Sequence, residues 1–265
     1  MTTLIAIPAR YASTRYPGKP LVELTGAHGD KRSLIERSWL AAKSVEGDHR
    51  VAVATDDPRI AEASKAFGAD VIMTSDKCRN GTERCAEVAE ATGFDGIVVN
   101  LQGDAPLTPP WFVENLISEM ERDPEMLVAT PVLRCDAEAL NGFVEDRLNG
   151  RVGGTTAVFD RTGRALYFSK EVIPYTGRRF EAGETCPVFH HVGVYAYRPA
   201  ALARYIAWGE GHLEKWEGLE QLRFMENGVP VHCIEVDARG RKFWELNNPV
   251  DVARIEAIMK EQGIA

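Results

Sequence analysis

The stretch RVAVATDDPRIAEASKAFGADVIMT, residues 50–74, decides how the chain is to be read. Its first six residues are β-prone with an apolar centre, Val51–Ala54, and its last five enclose another short apolar run, Val71–Met73. Between them Asp57 can cap a helix, Pro58 suits the first helical turn, and Gly68 ends it. A short strand, a helix and a second short strand, with no turn signal for a hairpin, predict parallel strands covered by helices.

The same alternation extends in both directions. Upstream, TLIAIPA reads as a strand and SLIERSWLAAKS as a helix. Downstream, TERCAEVAEATG is helical, GIVVNLQ is a strand, TPPWFVENLISEMER is a helix, and MLVATPV is a strand. The pattern then changes. Residues 151–168 read as a β-hairpin turning at RTG, followed by one strand in HHVGVYAYR and a helix in AALARYIAWG. LEKWEGLEQLRFMENG reads as one polar helix, VPVHCIEV as a strand, and NPVDVARIEAIMKEQG as the closing helix. We therefore expect one α/β domain over residues 1–265. Its mixed, mostly parallel sheet carries an antiparallel insert at about residues 132–190.

Composition narrows the functional classes. The 265 residues are 45% hydrophobic and 26% charged, with a formal net charge of -8. That charge argues against bulk attraction to nucleic acid or to an anionic membrane. The five cysteines form no CxxC pair, so neither a zinc site nor a disulfide framework is expected. No signal-peptide pattern and no bilayer-length apolar run is present, so a cytoplasmic protein is expected.

In open α/β sheets ligands bind at the carboxyl ends of the strands. The first such exit is PARYASTRYPGKP, residues 8–20. It is neither a P-loop nor a dinucleotide fingerprint. Arg10, Arg15 and Lys19 have the chemistry to surround a triphosphate, with Ser13, Thr14 and backbone N–H groups completing a cradle. A solvated charged loop explains the same composition. The second exit, VVNLQGDAPLTPP, presents Gln102, Gly103 and Asp104. Asp104 reads either as a magnesium ligand facing phosphates or as a turn residue before a helix.

The ordered set IPARYASTRYPGKPL, ATDDPRIAEASKAFGADVIMTS, NGTERCAEV, VVNLQGDAPL, GRALYFSKEVIPY, HHVGVYAYR and GLEQLRFMENG closely resembles the 3-deoxy-manno-octulosonate (Kdo) cytidylyltransferase family, over nearly the whole chain. The resemblance implies a Rossmann-like nucleotidyltransferase fold, a homodimer built through the antiparallel insert, and magnesium-dependent transfer of CMP from CTP to an acidic sugar. It implies that Arg10, Ser13 and Lys19 hold the CTP phosphates, that Asp104 binds the nucleotide's metal, and that Lys19, Arg10 and Asp104 carry catalysis. Pro8, Ala9 and the loop SDKCRNG would select cytosine. Arg84, Gln102, His191, Tyr195, Glu220 and Gln221 would line the sugar-acid pocket.

Three positions depart from the family pattern. Ala105 follows Asp104 where the family has Glu. Thr156 stands where the family has a lysine. WELNNP puts Asn247 at the place of a metal-binding aspartate, with Glu245 two residues earlier as a possible substitute ligand. These changes leave room for another acceptor, such as a nonulosonate or a phosphonate, or for a catalytically silent nucleotide-binding paralogue.

Overall fold

The computed structural model describes residues 3–12, 16–152, 154–242 and 244–264. In chain order the strands are β1 (Thr3–Ala9), β2 (Glu23–Thr25), β3 (Lys31–Ser33), β4 (His49–Thr55), β5 (Asp70–Met73), β6 (Ile97–Leu101), β7 (Val128–Arg134), β8 (Thr155–Phe159), β9 (Ala165–Ser169), β10 (Phe189–His191), β11 (Val194–Tyr197) and β12 (His232–Val236). The helices are α1 (Leu34–Lys43), α2 (Pro58–Ala66), α3 (Gly81–Thr92), α4 (Pro110–Arg122), α5 (Ala137–Leu148), α6 (Pro199–Trp208), α7 (His212–Glu217), α8 (Leu222–Glu226) and α9 (Asp251–Gln262).

Among the described residues, one ten-stranded sheet runs β5-β4-β1-β6-β11-β7-β10-β8-β9, with β12 also paired to β7. β5, β4, β1 and β6 are parallel. β11 enters antiparallel between β6 and β7. Every residue of β1 and of β6 is buried, as expected of strands covered by helices on both faces. One face packs Leu4, Val98 and Tyr197 with Val88, Leu202 and Phe224. The other packs Ile5, Ile7 and Val99 with Ile35, Phe112 and Leu116. Truncating such a residue to alanine costs about 2–5 kcal/mol. The expected α2 cap is present: Arg59 N donates to Asp57 Oδ1 at 2.9 Å.

Two sequence expectations are corrected. HHVGVYAYR is two strands, because the chain steps aside at Val192–Gly193. β10 pairs with β7 and β8, while β11 crosses to β6. Residues 213–228 fall into two short helices instead of one. α7 stops at Gly218, in the left-handed region at φ 62°, and Leu219 N returns to Glu214 O. The sequence reading also assigned nothing to the β2–β3 hairpin or to α5. Asp136 caps α5 by accepting from Ala139 N at 2.7 Å.

Candidate active site

β1 and β6 are hydrogen-bonded neighbours, so their carboxyl ends open side by side. β11 runs the other way and starts at this edge, with Tyr195 opposite Asn100. A cleft of about 840 Å³ lies there, large enough for a nucleotide and a sugar. The two parallel exits approach closely at Gly103, where a Cβ would lie 2.7 Å from Pro8 O. A side chain at that position would push the Asp104 loop away from the loop after β1.

One end of the cleft is cationic and acidic at once. Lys19, on a short 3-10 turn (Lys19–Leu21), reaches Asp104, with Nζ 2.6 Å from Oδ2. Pro8, Ala9 and Arg10 line the same cleft. Arg10 is exposed, and its guanidinium approaches Arg79 O at 3.5 Å. Ser13, Thr14 and Arg15 lie outside the described residues.

The C-terminal strap reaches this end as well. Leu246 N donates to Asp104 O at 2.9 Å, so Glu245 and Asn247 flank the Asp104 turn and line the cleft. Asp251, at the start of α9, holds the strap by accepting from Asn247 N, Asn248 N and Trp244 Nε1. The Glu245 carboxylate lies over Gly193, toward β11. No group of three or more His, Cys, Asp or Glu side chains arranged for a metal occurs among the described residues. A cation here would draw ligands from the nucleotide too. A carboxylate (Asp104), a neutral amide oxygen (Asn247) and incoming phosphates fit magnesium, which takes one or two carboxylates plus phosphate oxygens.

The other end is a polar wall assembled from five segments. Gln102 Nε2 donates to Glu220 Oε1 at 3.2 Å, and Thr82 N donates to Glu220 Oε2 at 2.9 Å. Burial pushes the Glu220 carboxyl above its ordinary pKa, and the Thr82 N–H opposes that rise. Tyr195 donates its hydroxyl to Gln221 Oε1 at 3.0 Å. His191 shares a 2.9 Å hydrogen bond with Thr130 Oγ1. Burial, with a smaller contribution from His190, lowers the His191 pKa to about 3, so the ring is neutral at physiological pH. Arg84 is no solvated charge. It is 3% exposed, bonds Thr74 Oγ1, and pairs with Asp56 at 3.2 Å.

Behind this wall lies a network that the sequence reading missed. Arg223, 1% exposed, places both arms of its fork on Glu214, each at 2.7 Å, and reaches Glu83 at 3.1 Å. Glu83 also receives Arg79 through its backbone and side chain. Burial opposes ionisation of Glu83, yet the hydrogen bonds from Arg79 and Arg223 outweigh it and hold the pKa below the ordinary value. Tyr205 donates to Glu220 O at 3.1 Å and itself receives Asn80 Nδ2. Arg223 and Glu83 sit inside the motifs LEQLR and GTER, which offered a signal. Tyr205 and Glu214 carried none.

Thr156, at the family's lysine position, ties β8 to the loop after β9. Its hydroxyl donates to Glu171 O at 2.6 Å and accepts from Ile173 N at 3.1 Å. Ala105 is buried in the turn after Asp104, with its N–H on Gln102 O.

Residues 4–233 match the cytidylyltransferase family model. A 3-deoxy-manno-octulosonate cytidylyltransferase of Maricaulis maris is 42% identical over 264 residues, covering 99% of each chain. The mitochondrial 3-deoxy-manno-octulosonate cytidylyltransferase of Arabidopsis thaliana is 37% identical, over 98% of this chain and 83% of its own. A solved structure of CMP:2-keto-3-deoxy-manno-octonic acid synthetase complexed with CTP superposes with a TM-score of 0.83 at 35% identity, covering 99% of this chain and 100% of that one.

Proposed function

The chain belongs to the 3-deoxy-manno-octulosonate cytidylyltransferase family, and we propose that it transfers CMP from CTP to the anomeric hydroxyl of Kdo, releasing pyrophosphate. One observation carries this reading. The Lys19–Asp104 pair stands at one end of the cleft, and the Gln102–Glu220 and Tyr195–Gln221 pairs stand at the other.

In this reading the anomeric oxygen attacks the α-phosphorus, the bond to the bridging oxygen of pyrophosphate breaks, and the hydroxyl proton is lost. Charge develops on phosphoryl oxygens, so positioning and electrostatic stabilisation govern the rate. Lys19 exchanges Asp104 for the phosphates, and Arg10 adds a forked donor at the mouth. Ser13 belongs to the same phosphate loop. Asp104 would hold magnesium, with Asn247 and Glu245 beside it. That ion would neutralise phosphate charge and lower the pKa of the attacking hydroxyl. Pro8, Ala9 and the loop at residues 75–81 form the cytosine side. Gln102, Glu220, Gln221, Tyr195 and neutral His191 receive sugar hydroxyls, and Arg84 anchors the floor.

We assign the chain to the cytoplasm and to lipopolysaccharide or capsule precursor synthesis. No described helix is long and apolar enough to cross a membrane. We also propose a homodimer through the antiparallel segment, where Leu148, Val152 and Tyr175 are exposed. Sedimentation at micromolar concentration tests the dimer.

The activity is tested by pyrophosphate release from CTP and magnesium with Kdo, a nonulosonate and a phosphonate. Release with Kdo is the expected result. Preferential release with another acid would replace Kdo as the acceptor. CTP binding without release from any acid would mark a silent paralogue.

A further inference from the structure

The loop between β5 and α3, residues 74–80, brings Cys78, Arg79 and Asn80 to the wall of the cleft. Its first half is a β-turn. Cys78 N reaches Ser75 O at 3.5 Å, and Lys77 N donates to Ser75 Oγ at 3.1 Å.

One carboxylate grips both ends of that turn. Ser75 N donates to the two oxygens of Glu87, at 2.8 and 3.0 Å, and Cys78 Sγ donates to Glu87 Oε2 at 2.9 Å. Burial, reinforced by this bond, pushes the Cys78 pKa up to about 12, so the thiol keeps its proton and directs it at Glu87. Glu87 is not among the residues that line the cleft. It stands behind the loop on α3, one helical turn after Glu83 and on the same face. Glu83 accepts from Arg79 N at 2.7 Å, but it divides its carboxylate between Arg79 and Arg223. Among the described residues, the side-chain hydrogen bonds of Glu87 all go to the turn. Helix α3 therefore carries a carboxylate dedicated to the shape of residues 75–78.

Cytosine and uracil have nearly the same outline. They differ by reversed donor and acceptor groups at adjacent ring positions. Pocket volume cannot separate such a pair, whereas hydrogen-bonding groups fixed in place can. A turn at a cleft wall supplies fixed groups only when residues behind it hold it.

We infer that Glu87 is a positioning residue for base choice, holding the Ser75–Cys78 turn in the shape that admits cytosine and rejects uracil. The inference rests on the cytidylyl-transfer reading above. Glu87 lies behind the turn and acts through it, by fixing its peptide groups and the Cys78 side chain.

The test uses the full chain with Kdo, magnesium and either CTP or UTP, and reads kcat/KM for each nucleotide. Wild type should prefer CTP. Glu87→Met should lower the CTP-over-UTP ratio about ten- to hundredfold, the loss expected when hydrogen bonds to a charged group are removed. Glu87→Gln keeps one acceptor oxygen and should fall between the two. The change should appear in the KM for CTP, with the KM for Kdo moved less than twofold. The ratio compares two substrates on one preparation, so partial unfolding does not alter it. Glu90→Gln, exposed on the same helix, should keep the wild-type ratio. Iodoacetamide gives a reading independent of turnover. Cys78 is half-buried while the other four cysteines are buried, and CTP should slow its alkylation.

If Glu87→Met and Glu87→Gln keep the wild-type ratio, Glu87 only supports the fold, and the inference is wrong while the proposed reaction stands. Alkylation of Cys78 at the same rate with and without CTP overturns it in the same way, because the base then lies off the turn. If wild type releases no pyrophosphate from CTP with Kdo, the proposed reaction itself fails and the role of Glu87 falls with it.

Discussion

The two ends of the cleft are built differently. The proposed phosphate end comes from adjacent strand exits, and its Lys19–Asp104 pair is partly open to solvent, at 12% and 26% side-chain exposure. The proposed acceptor end is drawn from β6, the start of α3, β11 and the α7–α8 turn, and it rests on an ion-pair network that solvent hardly reaches. A partly exposed pair can exchange partners at low cost, which suits the triphosphate entry proposed for this end. A buried, fully bonded network holds one arrangement, which suits discrimination among similar sugars. The difference teaches that charge density alone does not separate a reactive end from a selective one. Access to water does.

The sharpest way to break this contrast is at Asp104. Asp104→Ala should lower turnover by at least about a thousandfold at any magnesium concentration, read as pyrophosphate release, with the melting temperature nearly unchanged. A variant that magnesium rescues would show that the phosphate end does not depend on this carboxylate.

Arg223→Met should do the reverse and act first on stability. It leaves Glu83 and Glu214 buried without their shared cation, at a cost of about 3–5 kcal/mol, visible as a lower denaturation midpoint. A loss under about 1 kcal/mol would mean that the acceptor end is not held by this network.

The pH dependence is smaller. In the native protein His191 has its pKa lowered to about 3, while in the unfolded chain it returns to ~6.5. The unfolded state therefore binds the proton first as pH falls, and stability declines from about pH 6.5 downward. This one group contributes a slope of at most about 1.4 kcal/mol per pH unit. His191→Gln should flatten the stability curve between about pH 6 and pH 4. An unchanged slope would remove His191 from the acid response.

The smallest expected change is at the strap. Asn247→Asp should tighten apparent magnesium binding about three- to tenfold, because an added carboxylate strengthens a hard-cation site. If the magnesium dependence does not move, Asn247 stands outside the ion's reach.

These two ends were also unequally legible. The phosphate loop and the GlnGlyAsp turn are contiguous stretches, so local composition marked Arg10, Lys19 and Asp104, and the family resemblance assigned their roles. Glu220, Gln221, His191 and Tyr195 could be named only through the resemblance. Nothing local distinguishes a pocket glutamate from one on an exposed helix face. The helix expected across residues 213–228 shows the reason. Its polar, helix-prone residues satisfy local propensity, but Gly218 breaks it, and tertiary bonds from Thr82 and Gln102 fix the broken turn.

Sequence by itself determined the alternating architecture, because apolar runs of strand length between capped helices bury only as a helix-covered parallel sheet. It also marked the cationic and acidic exits, since consecutive residues at a strand end must share one edge. Tertiary structure decided the rest. It placed Lys19 on Asp104, 85 residues apart. It buried Arg223 between Glu83 and Glu214. Such contacts depend on which distant segments meet, and neither periodicity nor propensity along the chain encodes that meeting.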